Sequence, residues 1–542
     1  MRFDKYIFIP VLLIVSAIFA NLFLLHYSVP KKFIGTIGID QPTHFYDMKK
    51  WYESKKLPTT STRFMATRII DDEVTTPRVP GGAYYIIYTL FYKLASETLL
   101  GAKIINLIFN LIIISIFLFW FYKKFGLIIT SFIVPLILCN GYFVIAIIDF
   151  WNPNLSLIFS FLLFIFLFEY IDENKENDTR KNIVRFAAIF IFPVLAIMAQ
   201  GHFFVFFSFV PTIIIYLIIK FKRTLKYMKF FIIGIFLSFL EYLPYLISEI
   251  QTNFSNLNMI FNTRSSFSKF PFPQIQSLFV FPTNEMSAFY GSKMISIIKF
   301  WNMYPIKFLG VLFLFISIIF AFICLLRAIY FSFNKKYKVN SNNEKIIIEM
   351  MRIFLLFIPI TIIGNMFAGQ FAKIHYFYQF FSFSFLPIIL FFIQKESKFK
   401  IDKFLFTSSL LIILNIIVMT FQITTYVKNY EEPFSFRNIE TIISSLYNDS
   451  KNSDVKVELV YDANYNYLYR DIAKIYFPES VFNQVDDSSN FYIIINMVAS
   501  SQKTDESISN YMDYINKNSI PIINTSKLYL YKYIGDEPFR KP

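Results

Sequence analysis

The chain alternates long apolar segments with short polar breaks over most of its 542 residues. About 20 apolar residues in a helix span the hydrocarbon core of a bilayer, so each segment of that size predicts a transmembrane helix. Eleven segments qualify: residues 6–27, 101–122, 127–147, 154–171, 184–200, 203–221, 229–248, 306–331, 350–368, 377–394 and 403–425. The pattern predicts an α-helical polytopic membrane protein of about 11 transmembrane helices, the first of them retained because no cleavage site follows it.

Basic residues mark every second break between these segments. The basic breaks are KKFG, ENKENDTRKN, KFKRTLKYMK, NKKYKVNSNNEK and QKESKFKIDK. Since cytoplasmic loops carry the excess of Lys and Arg, these breaks and the N-terminus are expected on the cytoplasmic side. The expected location is the inner (plasma) membrane of the cell. The long loops 28–100 and 249–305, the short turns between them and the C-terminal part are then extracytoplasmic.

The chain after residue 425 has a different composition. It alternates helix-like stretches (437–448, 466–475 and 506–517) with the strand-like stretches VKVELVYD, FYIIIN and KLYLYKY. This alternation predicts a small extracytoplasmic α/β domain over residues 426–542, beside a membrane domain over residues 1–425. The tail has no Gly-rich phosphate loop and no metal-ligand spacing.

Composition excludes several classes of protein. Hydrophobic residues make up 56% of the chain and charged residues 16%, which is outside the range of soluble globular domains. The net charge of +15 falls in short clusters between apolar runs, so membrane lipids are expected partners and nucleic acid is not. Both cysteines, Cys139 and Cys324, lie inside apolar runs, which argues against a disulfide framework and a thiolate metal site.

The first external loop carries ionisable side chains near a membrane boundary, where such groups are costly and tend to be functional. Asp40, His44 and Asp47 precede an amphipathic stretch, residues 48–56, that is suited to lie along the interface. The acidic run at residues 71–73 makes a divalent cation a candidate cofactor, although a solvated acidic turn is the favoured interpretation.

The other external segments are polar in a specific way. Arg78 precedes a Pro-Gly-Gly break that leads into an aromatic helix beginning near Ala83. An arginine held by such a turn at the level of the lipid headgroups is well placed to bind a phosphate. The turns DFWNPN, AQGHFF and GQFAKIHYFYQ contribute polar and aromatic residues: Asp149, Trp151, Asn152, Gln200, His202, Lys373, His375 and Tyr376. Each turn alone is an ordinary interfacial loop, and together they are expected to converge on one cavity.

The order of these features resembles the glycosyltransferase-C superfamily, especially the bacterial relatives of protein O-mannosyltransferases and of the lipid A aminoarabinose transferase. The resemblance covers residues 1–425 and rests on the early acidic residue, VPGGAYYIIYTLFYKLA, WNPNLSLIF, AQGHFF and EYLPYLISEIQTNFSNLNMIF. It implies a helical bundle with large outer loops that transfers a hexosyl or pentosyl group from a polyprenyl-phosphate-linked donor to a glycan, lipid or protein acceptor on the outer side.

The resemblance also implies catalytic residues. The first-loop acid of the family, which is the catalytic base or helps to orient the acceptor, corresponds to Asp40. Many relatives have an acidic pair there, whereas this chain has Asp40-Gln41, so Asp47 or Asp149 is left to supply a second carboxylate. Inverting displacement at the anomeric carbon needs a base within hydrogen-bond reach of the acceptor hydroxyl, which a carboxylate in a partly dehydrated pocket provides.

Other positions correspond to the substrate-binding regions of the family. Tyr245 and Glu249 are expected to line a helix-to-loop junction, and Lys373 and His375 match a late external turn near the donor phosphate. With Arg78, cationic groups of this kind stabilise the charge that grows on the departing phosphate.

Two other functions use similar architecture. A lipid-linked sugar flippase or transporter is disfavoured because the apolar runs contain few charges and the chain shows no repeated half. A polysaccharide polymerase or ligase is disfavoured because its essential residues usually occupy a large late external loop, whereas the longest loop here is the first.

Overall fold

The computed structural model describes residues 5–32, 40–64, 77–172, 178–262, 272–283, 307–334, 336–368, 374–396, 401–428, 436–450, 455–460, 490–496, 505–524 and 528–535. The chain divides into two compact units. The first, here called the membrane unit, comprises Met1–Tyr27, Leu57–Phe64 and Thr76–Tyr426. The second unit comprises Ser28–Lys56, Met65–Thr75 and Val427–Pro542, so part of the first external loop groups with the C-terminal region.

Helices form in every apolar segment that predicted one. Up to residue 428 the elements are α1 (Lys5–Lys32), α2 (Asp40–Ser54), β1 (Thr60–Arg63), β2 (Arg78–Pro80), α3 (Ala83–Leu94), α4 (Leu99–Leu138), α5 (Gly141–Ile148), α6 (Asn152–Ile171), α7 (Asp178–Gly201), α8 (Phe209–Ile219), α9 (Phe221–Lys226), α10 (Met228–Gln251), α11 (Ser255–Asn262), α12 (Phe272–Thr283), α13 (Lys307–Phe333), α14 (Asn342–Ala368), α15 (Leu386–Glu396) and α16 (Ile401–Lys428). Short 3₁₀ helices cover Phe203–Phe207, Ile374–Phe380 and Ser382–Phe385.

The chain is an α-helical, multi-pass membrane protein, as predicted. Within the described ranges, seven helices are long and apolar enough to cross a membrane, and up to eight spans result when the bent pair Ile374–Phe380 and Ser382–Lys395 counts as one. Two of the differences from the predicted eleven have a clear cause in the described helices. Helix α4 covers two predicted segments across a break at Gly126, whose φ is 78°, and Phe203–Ile219 is a shorter apolar helix. The number eleven therefore stays a prediction.

Helix α6 organises the interior of the membrane unit. Its side chains are buried along nearly the whole helix, although its composition is almost uniformly apolar and has no polar face. A helix that is apolar on all sides is stable only when other helices surround it. Here α4, α7 and the 3₁₀ helix Ile374–Phe380 pack against it.

Four charged residues form an ion cluster at the C-terminal end of α6: Lys124, Glu169, Asp172 and Arg180. Lys124 Nζ lies 2.8 Å from Glu169 Oε1, and the Arg180 guanidinium pairs with Glu169 and, at 3.1 Å, with Asp172. Trp120 Nε1 donates to Glu169 Oε1 at 2.6 Å. The cluster joins α4, α6 and α7 on the side that the basic breaks predict to be cytoplasmic.

The second unit contains α2 and a small α/β arrangement. Its C-terminal elements are α17 (Phe436–Ser450), β3 (Val455–Val460), β4 (Asn490–Asn496), α18 (Asp505–Asn518), β5 (Ser519–Asn524) and β6 (Leu528–Tyr533). The sheet order is β3-β4-β6-β5, with β3 parallel to β4 and the other pairs antiparallel. Ile515 of α18 packs on Ile493, Ile495 and Tyr531 of the sheet.

The predicted helices and strands of this region agree with the described elements, with two qualifications. The helix-like stretch 466–475 lies outside the described residues. Strand β5 was not predicted, because Pro521 interrupts its strand pattern. β5 lies at the end of the sheet order and pairs only with β6, where a missing N–H is tolerated, and the register shifts between Pro521 and Ile523.

The ion cluster predicts a large effect of Glu169→Gln on stability. Both Glu169 and Arg180 are at least nine-tenths buried, so neutralising Glu169 removes the shared partner of Lys124 and Arg180 and leaves Arg180 paired with Asp172. We expect the free energy of unfolding in detergent to fall by about 2 kcal/mol. The matched control is Asp178→Asn, since the Asp178 side chain is 96% exposed in its pair with Lys181. Equal unfolding midpoints for the two variants would contradict the prediction.

Candidate active site

The turn between α5 and α6 places a carboxylate inside the protein at the N-terminal end of α6. Asp149 ends α5 and is only 4% exposed, and its carbonyl oxygen accepts a hydrogen bond from Asn154 Nδ2 at 2.9 Å. Pro153 stands in the first turn of α6, where its missing N–H costs nothing. Since α6 has 20 residues, Asp149 lies about 30 Å along the helix from the ion cluster.

The end of α7 lies beside this turn. Asn152 Nδ2 donates to the Gly201 carbonyl oxygen at 3.1 Å. Gln200 is fully buried, and its Oε1 accepts the Ala83 N–H at 2.8 Å. His202 follows as the first residue beyond the helix, and burial lowers its pKa to about 3. The imidazole is therefore neutral at physiological pH, so one of its nitrogens donates a hydrogen bond and the other accepts one.

The 3₁₀ helix Ile374–Phe380 brings the third turn to the same place. The His375 ring lies 4.5 Å from the Trp151 ring, centroid to centroid, and 6.3 Å from the His202 ring. The centroid of the Tyr376 ring lies 5.1 Å from that of His202, and the centroid of the Tyr378 ring lies 6.2 Å from that of Trp151. The three turns that were predicted to be external therefore lie together around Trp151, and their shared cavity stays a prediction.

The buried polar atoms of this region that have no hydrogen-bond partner within the described part of the chain include His202 Nδ1, Gln200 Nε2 and the Tyr378 hydroxyl. Most buried polar groups in proteins are paired, so each exception needs an explanation. A bound ligand that carries several hydroxyl groups is one explanation that accounts for all three.

Arg78 is held beside the turns by its backbone. Asn256 of α11 accepts the Arg78 N–H at 2.7 Å and donates to its carbonyl oxygen at 3.0 Å. The guanidinium donates to the Ser61 carbonyl oxygen at 3.4 Å. Beyond Arg78 comes the break at Gly81 and Gly82, where a Cβ atom would overlap Gln200 or the Pro58 carbonyl group, and Gly81 has a φ of +90°. Only glycine fits so close to these neighbours.

Tyr245 and Glu249 shape the junction of α10 and α11. Asn256 Nδ2 donates to the Tyr245 hydroxyl at 3.2 Å, and the Glu249 carboxylate accepts the Leu257 N–H at 3.0 Å. Both side chains are buried. Their described contacts hold the segment that anchors Arg78, which is a positioning role in addition to the predicted substrate-binding one.

Sequence reasoning missed a fully buried cation. Lys103 of α4 is 0% exposed, and Asn106 and Asn110 follow it on the same helix face. Asn110 Nδ2 donates to the Ile147 carbonyl oxygen at 3.1 Å, two residues before Asp149. Lys103 is the only charged residue between Gly101 and Trp120, and that isolation was the available signal.

Asp40, His44 and Asp47 belong to the second unit. Asp40 begins α2, but its side chain lies outside the described residues; His44 and Asp47 are buried on the same helix. Lys373 and the acidic run at residues 71–73 also lie outside the described residues. Among the residues whose positions are given, no group of three His, Cys, Asp or Glu could hold a metal ion.

No protein family matches the sequence, and no curated protein matches it. Among solved structures, the chain is similar to apo ArnT from Cupriavidus metallidurans, with 10% identity, a TM-score of 0.48, and coverage of 96% of this chain and 97% of that one. ArnT bound to undecaprenyl phosphate gives a TM-score of 0.44 over the same shares at 10% identity.

A second similar structure is the Archaeoglobus fulgidus oligosaccharyltransferase tethered to an acceptor peptide. Its identity is 10% and its TM-score 0.45, over 98% of this chain and 74% of that one. ArnT and the archaeal enzyme are glycosyltransferases of the glycosyltransferase-C superfamily, which is the superfamily that the sequence resembles. TM-scores below 0.5 at 10% identity transfer no activity to this chain, whose function rests on the residues of its own site.

Proposed function

We propose that the chain is a membrane glycosyltransferase that moves a sugar from a polyprenyl-phosphate-linked donor to an acceptor on the extracytoplasmic face, with inversion at the anomeric carbon. The observation that carries the proposal is the convergence of three external turns around Trp151. This convergence gathers a buried carboxylate, two histidines and three polar atoms that have no partner in the described chain, at the end of α6 opposite the ion cluster.

The sugar would bind at these unpartnered atoms. His202 Nδ1, Gln200 Nε2 and the Tyr378 hydroxyl offer donors and acceptors to sugar hydroxyl groups, while the Trp151 and His375 rings supply flat apolar faces. Small-molecule sites commonly combine aromatic walls with a few such polar groups.

The acceptor hydroxyl must lose a proton as it attacks the anomeric carbon. Asp40 is the proposed base, because the resemblance assigns this role to the first-loop acid. Asp149 is the proposed second carboxylate, supported by its burial at the convergence point. A positioned carboxylate base typically contributes 10²–10⁴-fold to a rate.

The donor phosphate leaves with increased negative charge. Arg78 and Lys373 are the proposed cationic partners, with His375 as a helper, and Lys103 joins them as a fully buried cation on α4. Cations fixed in a water-excluded site stabilise developing charge far better than cations in water. Undecaprenyl phosphate is bound in the ArnT structure, and a dolichol-phosphate with an inhibitory peptide in an AglB structure; for this chain, donor class and acceptor class are part of the proposal.

Site variants test the catalytic assignments. We expect Asp40→Asn and Asp149→Asn each to lower the transfer of radiolabelled sugar from a panel of polyprenyl-phosphate sugars by about 100-fold or more, in membranes with equal expression. Asp178→Asn, at an exposed position near the ion cluster, is the matched control. Full activity in both site variants would refute the proposed bases, and movement of the lipid-linked sugar between leaflets without transfer would favour a flippase.

Tyr378→Phe separates a role in binding from a role in folding. Removing a buried hydroxyl that has no described partner should leave the unfolding midpoint unchanged or higher, because no hydrogen bond within the described chain is lost. If the hydroxyl binds the sugar, transfer should nevertheless fall by about tenfold. A variant that is destabilised and fully active would contradict this assignment. Tyr122→Phe, at an exposed position on α4 outside the candidate site, controls for the loss of a tyrosine hydroxyl.

The neutral state of His202 predicts a pH dependence of stability. The unfolded chain binds a proton at His202 below pH 6.5, whereas the folded chain does so only near pH 3. Stability is therefore lost as the pH falls below 6.5, by at most about 1.4 kcal/mol per pH unit. His202→Asn should flatten the decline of the unfolding midpoint between pH 6.5 and 4.5. His26→Asn, at an exposed position on α1, should follow the wild type, and a His202→Asn slope equal to the wild type's would refute the prediction.

A further inference from the structure

A cavity of about 480 Å³ lies in the membrane unit between α4, α12, α13, α15 and α16. Its walls are largely apolar and include Leu136, Phe313, Phe320 and Phe392. Two lysines also line it, Lys395 at the end of α15 and Lys403 at the start of α16. The described lining contains no carboxylate, so the cavity combines an apolar interior with positive charge.

Hydrogen bonds place the lysine end of this cavity on the side of the ion cluster. Gln394, the neighbour of Lys395, donates to the Tyr337 hydroxyl at 3.1 Å, and that hydroxyl donates to Glu344. Asn342, in the same turn as Glu344, donates to Asp172 at 2.9 Å. The lysine end of the cavity therefore lies at the end of the bundle opposite the candidate active site, on the predicted cytoplasmic side.

The depth of the cavity corresponds to one leaflet of a bilayer. From Lys403 to Asn415, both lining residues, α16 rises about 18 Å. Half of the hydrocarbon core is about 15 Å thick. Asp402, the acid beside Lys403, accepts a hydrogen bond from the Tyr6 hydroxyl at 2.9 Å and is not a lining residue, so the charged side chains of the described lining are the two lysines.

We propose that this cavity binds an anionic phospholipid of the cytoplasmic leaflet, with one acyl chain between α13, α15 and α16 and the phosphate at Lys395 and Lys403. The apolar walls fit the chain, and the lysines complement the headgroup. A cavity of this volume suits a single acyl chain, whereas a long polyprenyl chain requires more space. The proposed phosphate position lies at the end of the bundle opposite the candidate active site, and the lipid site does not depend on the proposed enzyme activity.

Native mass spectrometry of the purified full-length protein tests the proposal. The probes are phosphatidylglycerol and phosphatidylcholine with identical acyl chains, added to delipidated protein in detergent. We expect the wild type to retain phosphatidylglycerol preferentially, and Lys395→Gln/Lys403→Gln to lower that retention by about tenfold or more. Lys222→Gln/Lys229→Gln is the matched control, because it removes the same charge from exposed positions on the same predicted side and should bind as the wild type does.

A cavity-filling variant tests the acyl chain separately. Ser408→Phe occupies the lining while both lysines remain, so it should lower the retention of both phospholipids without changing the unfolding midpoint. Unchanged phosphatidylglycerol retention in the lysine and serine variants would overturn the proposal. Displacement of phosphatidylglycerol by an equimolar polyprenyl phosphate would overturn the assigned occupant.

Discussion

The cost of an uncompensated charge inside an apolar helical bundle is the constraint that organises the membrane unit. Charged groups in such a bundle must pair with one another, reach water, or hold a ligand. At the C-terminal end of α6, Glu169 and Arg180 pair directly. At its N-terminal end lie the buried Asp149 and several polar side chains, three of which, His202, Gln200 and Tyr378, have an atom without a hydrogen-bond partner in the described chain. One end of α6 therefore joins helices, and the other has the properties of a binding site.

The binding end depends on close backbone packing. Gly81 and Gly82 allow the segment after β2 to pass against Gln200 and Pro58, and the Gln200 amide caps the Ala83 N–H. This contact brings the Arg78 segment to the end of α7. The aromatic rings of Trp151 and His375 then close the space between the turns. A rigid frame of this kind fixes reacting groups in position before a substrate binds, which is a large part of catalytic power.

Sequence patterns predicted the helices well because burial in a bilayer demands long apolar runs. They also placed three turns on one face, and these turns lie together around Trp151, while their shared cavity stays a prediction. The patterns placed a break at KKFG, where two helices meet at a kink at Gly126, but they did not show the geometry of that kink. They also missed Lys103, whose burial depends on α4 packing, and the hydrogen bonds by which Tyr245 and Glu249 hold α11. Those features depend on contacts between distant segments, which hydropathy does not encode.

The most direct test of the central claim uses purified wild-type protein in proteoliposomes that contain one polyprenyl-phosphate sugar at a time and a mixed pool of envelope acceptors. Mass spectrometry of the lipid and glycan fractions would follow both products. The account predicts that, for one donor, free polyprenyl phosphate appears in equal amount to an acceptor-linked sugar of inverted anomeric configuration. Donors that stay intact throughout, or that only change leaflet, would contradict it.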